Sequence, residues 1–228
     1  MSQGLDSTLL TVWEEAVDAH PLDRAVSLIS GFDRIPRAEA AALPMGTRDR
    51  RLFALTGRLF GGEIRVFGTC AACGAETEVV LPVAAALEVA LPEVDFSVTH
   101  QGQSHPCRLP DSRDLAQALQ AAAPREALLQ TIVGVDAPEP DLLAEVETAL
   151  EARAGLSALT LAHRCADCGA EAATPFDILD YLWRRISAEA QRLMWDIHLL
   201  AKAYGWTSGE ILGLSRRRRA AHIALVTA

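Results

Sequence analysis

Two cysteine motifs of the same form lie far apart in the chain, CAACG at 70–74 and CADCG at 165–169. In a CxxCG turn both sulfurs point toward one position, and the glycine allows the left-handed backbone that the turn needs. Two such turns supply four thiolates, which complete a tetrahedral structural zinc site with no open coordination position. We therefore predict one structural Zn²⁺ per chain, bound by Cys70, Cys73, Cys165 and Cys168.

The separation of the two motifs is unusual. Common zinc ribbons place roughly 15–20 residues between their cysteine pairs, whereas residues 74–164 intervene here. The metal is thus predicted to join the middle of the chain to its last third, so that chelation destabilises the domain. A redox dithiol is disfavoured because neither motif follows a strand within a βαβ pattern. Iron bound by four thiolates has the same ligand set, so the residues alone do not separate it from zinc.

The segments that flank the motifs predict how the cysteines are positioned. Residues 63–69 and 76–83 alternate in polarity and form a hairpin with the first motif at its tip, and 156–164 and 171–175 flank the second motif in the same way. The predicted fold class is α+β. It consists of a small zinc-clipped antiparallel sheet, made of the two CxxC knuckle hairpins, with inserted helices and a long C-terminal helix.

The rest of the chain is predicted from hydrophobic periodicity and capping signals. Pro21 opens a helix, Thr47 is the predicted N-cap of a helix over 48–60, and a further hairpin turns at Gln101-Gly102. We therefore predict three regions in the chain. They are an N-terminal helical region over 1–60, a zinc-knuckle β region with a helical insertion over 61–175, and a C-terminal helical region over 176–228.

The longest regular segment, 176–204, is predicted to be apolar on two faces. One stripe has helical spacing and is expected to pack in the core. Its members are Leu179, Leu182, Trp183, Ile186, Ala190, Leu193, Met194, Ile197, Leu200, Ala201 and Tyr204. Tyr181, Ala188, Trp195 and Leu199 fall on the opposite side. Either the short helices after Thr207 fold back over this second face, or a partner protein covers it.

Charge is unevenly distributed. The chain carries −9 in total, while residues 176–228 hold eight basic and five acidic residues, which leaves −12 on the remainder. An acidic body argues against broad nucleic-acid binding, which requires a cationic surface. The four arginines at 216–219 point in four directions on a helix, so we interpret them as a solvated face rather than a nucleic-acid site.

The sequence lacks the motifs that are typical of several classes of enzyme. The chain has no glycine-rich phosphate loop, no GxSxG elbow and no HExxH motif. His100, His105 and Cys107 lie close in sequence, but a loop histidine and a buried cysteine explain them better than a second metal site or a thiol catalyst. No enzyme activity is predicted. The first residues lack the pattern of a secretory signal, and no apolar run is long enough to span a membrane, so we expect a cytoplasmic protein with reduced thiols.

Short motifs along almost the whole chain match one family. The C-terminal ones are Phe176-Asp177-Ile178, Leu182-Trp183, Trp195, Ile197-His198, Tyr204-Gly205-Trp206, Ile211-Leu212, Leu214-Ser215 and Arg217-Arg218. Upstream are Trp13-Glu14 with Pro21 and Arg24, Pro44-Met45-Gly46 with Arg48-Asp49, and Leu109-Pro110 with Asp114-Leu115. In these motifs the chain resembles the T-even-phage-type baseplate hub assembly chaperones, which belong to contractile phage tails and phage-tail-like contractile injection systems.

The resemblance implies a non-enzymatic role in assembling baseplate hub or spike proteins. The candidate partner-binding residues are Tyr181, Trp195, Leu199, Tyr204 and Trp206, because aromatic anchors of this kind dominate interfaces. Two alternatives stay open at this point. One is a structural baseplate subunit that remains in the finished particle, and the other is a zinc-ribbon protein with a nucleic-acid-binding or regulatory role.

Overall fold

The computed structural model describes residues 3–227 and has mixed α+β architecture. Eleven α-helices and six strands lie within these residues. The helices are α1 (Gln3–Ala16), α2 (Pro21–Asp33), α3 (Arg37–Ala41), α4 (Met45–Phe60), α5 (Val83–Glu88), α6 (Ser112–Ala118), α7 (Pro124–Val133), α8 (Pro140–Glu151), α9 (Ile178–Tyr204), α10 (Ser208–Gly213) and α11 (Arg216–Thr227). The strands are β1 (Glu63–Thr69), β2 (Glu76–Pro82), β3 (Asp95–His100), β4 (Gln103–Arg108), β5 (Thr160–Arg164) and β6 (Glu171–Pro175).

The strands pair as three antiparallel hairpins within 3–227, namely β1–β2, β3–β4 and β5–β6. The α+β prediction, with its two knuckle hairpins and long C-terminal helix, is confirmed. The two knuckle hairpins are separate two-stranded sheets, however, and do not join edge to edge into one sheet.

The chain divides into two compact units. Unit 1 comprises Met1–Arg34 and Asp180–Ala228, and unit 2 comprises Ile35–Leu179. All six strands belong to unit 2, whereas unit 1 is helical over its described residues. Both the first and the last of the three sequence regions therefore contribute helices to unit 1.

Unit 1 has an apolar core built from its amphipathic helices. Pro21 is the first residue of α2, as predicted, and Leu28 and Ile29 on this helix are buried. Gly31 lies so close to α1 that a Cβ there would stand 2.3 Å from a methyl carbon of Val12. Seven members of the predicted α9 stripe are buried, whereas Met194 and Tyr204 are exposed.

The helices after Thr207 fold back onto the other helices of unit 1. Thr207 and Glu210 form the capping box that starts α10, and the Ser215 hydroxyl accepts a hydrogen bond from the Arg218 backbone N–H in the first turn of α11. On the second apolar face of α9, Tyr181 and Leu199 are half-buried and Ala188 is exposed, so the helices that fold back leave much of this face uncovered. Coverage is incomplete, because Trp195 keeps 61% of its surface exposed.

The interpretation of residues 216–219 as a solvated face is wrong for Arg219. This side chain is fully buried, and its Nη2 donates to Asp6 Oδ2 at 2.6 Å. Its Nε lies 3.2 Å from Asp196 Oδ2, at ion-pair distance but without hydrogen-bond geometry. Arg216 also pairs with Glu189. Two of the four arginines therefore hold α11 against α1 and α9.

In unit 2 the predicted second hairpin packs on helices. Gln101 and Gly102 both have positive φ, 49° and 79°, as the tight turn between β3 and β4 requires. Val98 and Cys107 on this hairpin join a core cluster with Leu129 and Val146. Cys107 is therefore a buried packing residue, as expected.

Two helix starts differ from prediction. α4 begins at Met45 because Pro44 adopts an extended conformation and forms a bridge with Asp111, which fixes the chain just before the helix. Thr47 consequently lies within the first turn and is not the N-cap. α9 begins at Ile178, where the Asp177 carboxylate accepts a hydrogen bond from the Leu179 N–H at 2.7 Å and caps the helix.

Candidate metal centre

The four cysteines predicted to bind metal meet in one cluster. Their Sγ atoms all lie within 4.8 Å of one another. Two of these distances join the two motifs, at 3.7 Å between Cys70 and Cys168 and 3.6 Å between Cys73 and Cys165. A tetrahedral zinc ion with Zn–S bonds of about 2.3 Å requires sulfurs about 3.8 Å apart. The cluster therefore has the right size to hold Zn²⁺.

Both knuckles have the same backbone hydrogen bonds. Gly74 N–H donates to Cys70 O at 2.8 Å, and Gly169 N–H donates to Cys165 O at 3.0 Å. The two glycines have φ values of 75° and 71°, in the left-handed region that favours glycine. The geometry that the CxxCG spacing predicts is thus present in both motifs.

Burial is the same in the two motifs, with the first cysteine buried and the second exposed. Backbone N–H groups of Cys168 and Asp167 stabilise the Cys165 thiolate and lower its pKa to about 6. For Cys73 the backbone N–H of Ala75 acts in the same direction, but the neighbouring sulfurs prevail and raise its pKa to about 12. Four thiolates this close repel one another, and a bound divalent cation would relieve that repulsion.

Gly68 on β1 lets the two knuckle hairpins approach each other. A Cβ at this position would lie 2.1 Å from Thr174 Oγ1 on β6 and 3.2 Å from His163 Cε1 on β5. A side chain would therefore push β5 and β6 away from β1, and with them the second cysteine pair. Gly68 was not among the predicted site residues, although a glycine inside a strand pattern indicates close backbone approach.

The chemistry open to this centre is limited by its donor set. Four thiolates around one zinc ion leave no position for water or substrate, so a metal here holds the hairpins together and does not activate a ligand. His163 is not one of the four ligands. Its Nδ1 lies 3.2 Å from the Leu161 carbonyl oxygen within the same hairpin.

Among residues 3–227, no second group of three or more His, Cys, Asp or Glu side chains is close enough to share an ion. His100 instead lies between two carboxylates, with Nε2 3.4 Å from Glu139 and Nδ1 3.2 Å from Glu145. The nearby Glu145 carboxylate raises the pKa of His100, with a smaller contribution from Glu139.

The predicted partner-binding residues have different surroundings in the structure. Trp195 stacks on His198 with ring centres 5.6 Å apart. Tyr204 stacks on Trp206 at 4.6 Å, and the His222 ring meets both edge-on. Half-buried Tyr181 accepts a hydrogen bond from Arg185 through its hydroxyl. Leu199 is half-buried as well.

Comparison with known proteins gives no match to a protein-family model, a curated protein or a solved structure. Within the described part of the chain, no helix is both long enough and apolar enough to cross a membrane.

Proposed function

We propose that this chain is a non-enzymatic assembly factor for the baseplate hub of a contractile phage tail or a phage-tail-like injection system, with structural Zn²⁺ at its cysteine cluster. The observation that carries the non-enzymatic part is the closed set of four sulfurs, all within 4.8 Å. Such a set supplies stability and not catalysis. The class of partner follows from the resemblance of the C-terminal motifs.

An exposed aromatic side chain supports a role in protein binding. Trp195 is 61% exposed, although α9 buries seven residues of its predicted stripe. A large aromatic ring left in solvent is typical of an interface anchor, because covering it removes apolar surface from water. Hub or spike proteins are the proposed partners, and the cytoplasm, where thiols stay reduced and available to zinc, is the proposed compartment.

The nucleic-acid alternative loses part of its support. Of the arginines at 216–219, Arg219 is buried with Asp6 and Asp196, and Arg216 pairs with Glu189. Only Arg217 and Arg218 of this run lie outside those ion pairs. Two arginines form a small cationic surface for binding a phosphate backbone.

Co-expression with the hub and spike proteins tests the proposal. The complex is purified through a tag on this chain, and zinc and co-eluting proteins are quantified together. We expect one zinc ion per chain and a bound hub or spike protein. Zinc without any tail protein would refute the assembly role and leave the metal centre intact. Abundance in finished particles then separates an assembly factor, which should be absent or substoichiometric, from a retained subunit.

A charge placed at Trp195 tests the binding surface. Trp195→Asp is expected to abolish hub binding without lowering the melting temperature, because the side chain is exposed. Gln191→Asp is the matched control, since it adds the same charge at another exposed position of α9. Equal loss of binding in both variants would contradict a role for Trp195 as an anchor.

A further inference from the structure

A groove of about 410 Å³ lies in unit 1, between α1, α9 and α10. Its apolar lining includes Leu10, Met194, Ile197 and Leu212. Leu10 is buried, Ile197 and Leu212 are half-buried, and Met194 is 48% exposed. Side-chain exposure thus increases from the base of the groove to its apolar edge, as expected of a surface that receives side chains from another molecule.

Trp195 extends this apolar surface beyond the groove. It follows Met194 in sequence, and its ring stacks on His198, which lines the groove. A flexible thioether beside an exposed indole is a combination that adapts to apolar partner residues. Met194, Trp195 and His198 therefore form one edge of the groove, which we call the α9 edge.

The opposite wall carries negative charge. Glu14 of α1 lines the groove and is the one carboxylate among its described lining residues. Asp18, four residues further along the chain, is also exposed, and the last turn of α1 contains no basic residue. This wall is complementary to a lysine or arginine.

The secondary structure around the groove determines the form of the occupant. Unit 1 contains no strand in its described residues, so it offers no sheet edge to which an extended peptide could add. All three walls are helices, and an amphipathic helix places apolar residues three and four positions apart along such a groove.

The geometry points to a binding site for a basic amphipathic helix of a partner protein. Apolar side chains of that helix occupy the space between Leu10, Leu212 and the α9 edge, and a lysine or arginine on it pairs with Glu14. The identity of the natural partner rests on the proposed function. Binding of a synthetic helix to the groove does not depend on it.

Two synthetic helical peptides of about 15 residues test the site, with identical leucine and alanine positions and either lysine or glutamate at every polar position. Affinity for the full chain is measured by calorimetry at constant salt, and tryptophan fluorescence reports contact with the exposed Trp195. We expect the lysine peptide to bind and the glutamate peptide not to bind. Glu14→Lys should weaken the lysine peptide about tenfold or more, as loss of a close charge pair does, and should allow the glutamate peptide to bind.

Glu15→Lys is the matched control, because Glu15 is exposed on the same helix but does not line the groove. Its effect should stay within about threefold, since screened surface charges couple weakly. Absence of lysine-peptide binding, or equal weakening by the two variants, would overturn the site. If the hub protein binds and Glu14→Lys leaves that affinity unchanged, the groove proposal fails while the assembly proposal stands. If the lysine peptide binds but the hub protein does not, the groove proposal stands and the assembly proposal fails.

Discussion

The two units bring distant parts of the chain together by different chemistry. In unit 1 the buried guanidinium of Arg219 donates a hydrogen bond to Asp6, which lies 213 positions away in the sequence. In unit 2 the sulfurs of Cys70 and Cys168, 98 positions apart, lie 3.7 Å from each other. Unit 1 has ten basic and ten acidic residues, whereas unit 2 has eleven basic and twenty acidic residues, a net charge of −9.

This difference in charge supports the proposal that unit 2 binds a metal ion at its cysteine cluster. A charge-balanced unit can satisfy its buried carboxylates with its own arginines. Unit 2 is already acidic, and full ionisation of its clustered cysteines would add four further negative charges, which a bound divalent cation would partly offset. The following predictions test whether unit 1 depends on the buried Arg219 ion pair and unit 2 on the cysteine cluster, each independently of the other.

Removal of the metal should have the largest effect, and only in unit 2. Apparent binding free energies of structural zinc in small peptides are roughly 10–16 kcal/mol, more than any single side chain contributes. Chelation, or Cys165→Ser, should abolish hydrogen-exchange protection over 63–82 and 160–175 while the helices of unit 1 keep theirs. Cys107→Ser is the control, because this buried thiol lies in another cluster and should leave one zinc ion per chain. Unchanged exchange after chelation would contradict the prediction.

Loss of the buried guanidinium should be the next largest effect, in unit 1. Arg219→Ala leaves Asp6 buried without its cation, whereas Asp196 keeps its ion pair with Arg192. Removal of one partner of a buried ion pair typically costs about 3–5 kcal/mol. Urea unfolding should show this loss, and zinc content should not change. Arg218→Ala, at the adjacent exposed position, should stay within about 0.5 kcal/mol of the unmodified chain. Equal stability of the two variants would mean that Arg219 does not hold α11.

Gly68→Ala should have an intermediate effect on the metal centre. The added methyl group collides with Thr174, and overpacking of this kind costs about 1–3 kcal/mol. We expect weaker Co²⁺ binding in a titration that follows the thiolate-to-metal absorption bands. Thr174→Ala in the same chain should restore part of the affinity. Gly62→Ala is the control, because a Cβ there meets no atom within 4 Å; a similar loss in this variant would argue against close packing at Gly68.

The smallest effect concerns pH. The pKa of His100 in the folded chain is raised above its unfolded value of about 6.5 by Glu145 and Glu139. Its contribution to stability is therefore complete below that unfolded value and is lost as pH rises through the folded pKa. The stability difference between the unmodified chain and His100→Gln should shrink between pH 6 and pH 9, as measured by urea unfolding with zinc held in excess.

Glu189 in unit 1 should show the opposite dependence. Hydrogen bonding from Arg192 lowers the pKa of this carboxyl. Its contribution is present above the unfolded pKa of about 4.3 and is lost as pH falls through the lower folded value. Glu189→Gln should therefore differ from the unmodified chain by a constant amount between pH 6 and pH 9. A change across that interval would contradict the assignment.

Most features that the sequence predicted correctly are set by a few consecutive residues. The meeting of the two cysteine pairs is long-range, but it was predictable because both pairs share one motif and together complete a four-thiolate site. Each cysteine knuckle is specified by five consecutive residues, and the turn at Gln101-Gly102 by two. Arg219 was misjudged because its partner Asp6 lies 213 positions away and no local pattern indicates the pairing. The N-cap at Thr47 failed for a similar reason, since the bridge between Pro44 and Asp111 sets the start of α4. The groove beside Trp195 requires three helices from both ends of the chain, so periodicity in any one of them could not reveal it.

The pairing of Asp6 with Arg219 also has a consequence for biosynthesis. A ribosome adds roughly 5–20 residues per second, so the 213 positions between the two residues take roughly 10–40 s to translate. Throughout that interval α1 and α2 exist without the helices that cover them in unit 1. The nascent chain must keep these apolar surfaces from aggregating until α11, which carries Arg219, leaves the exit tunnel.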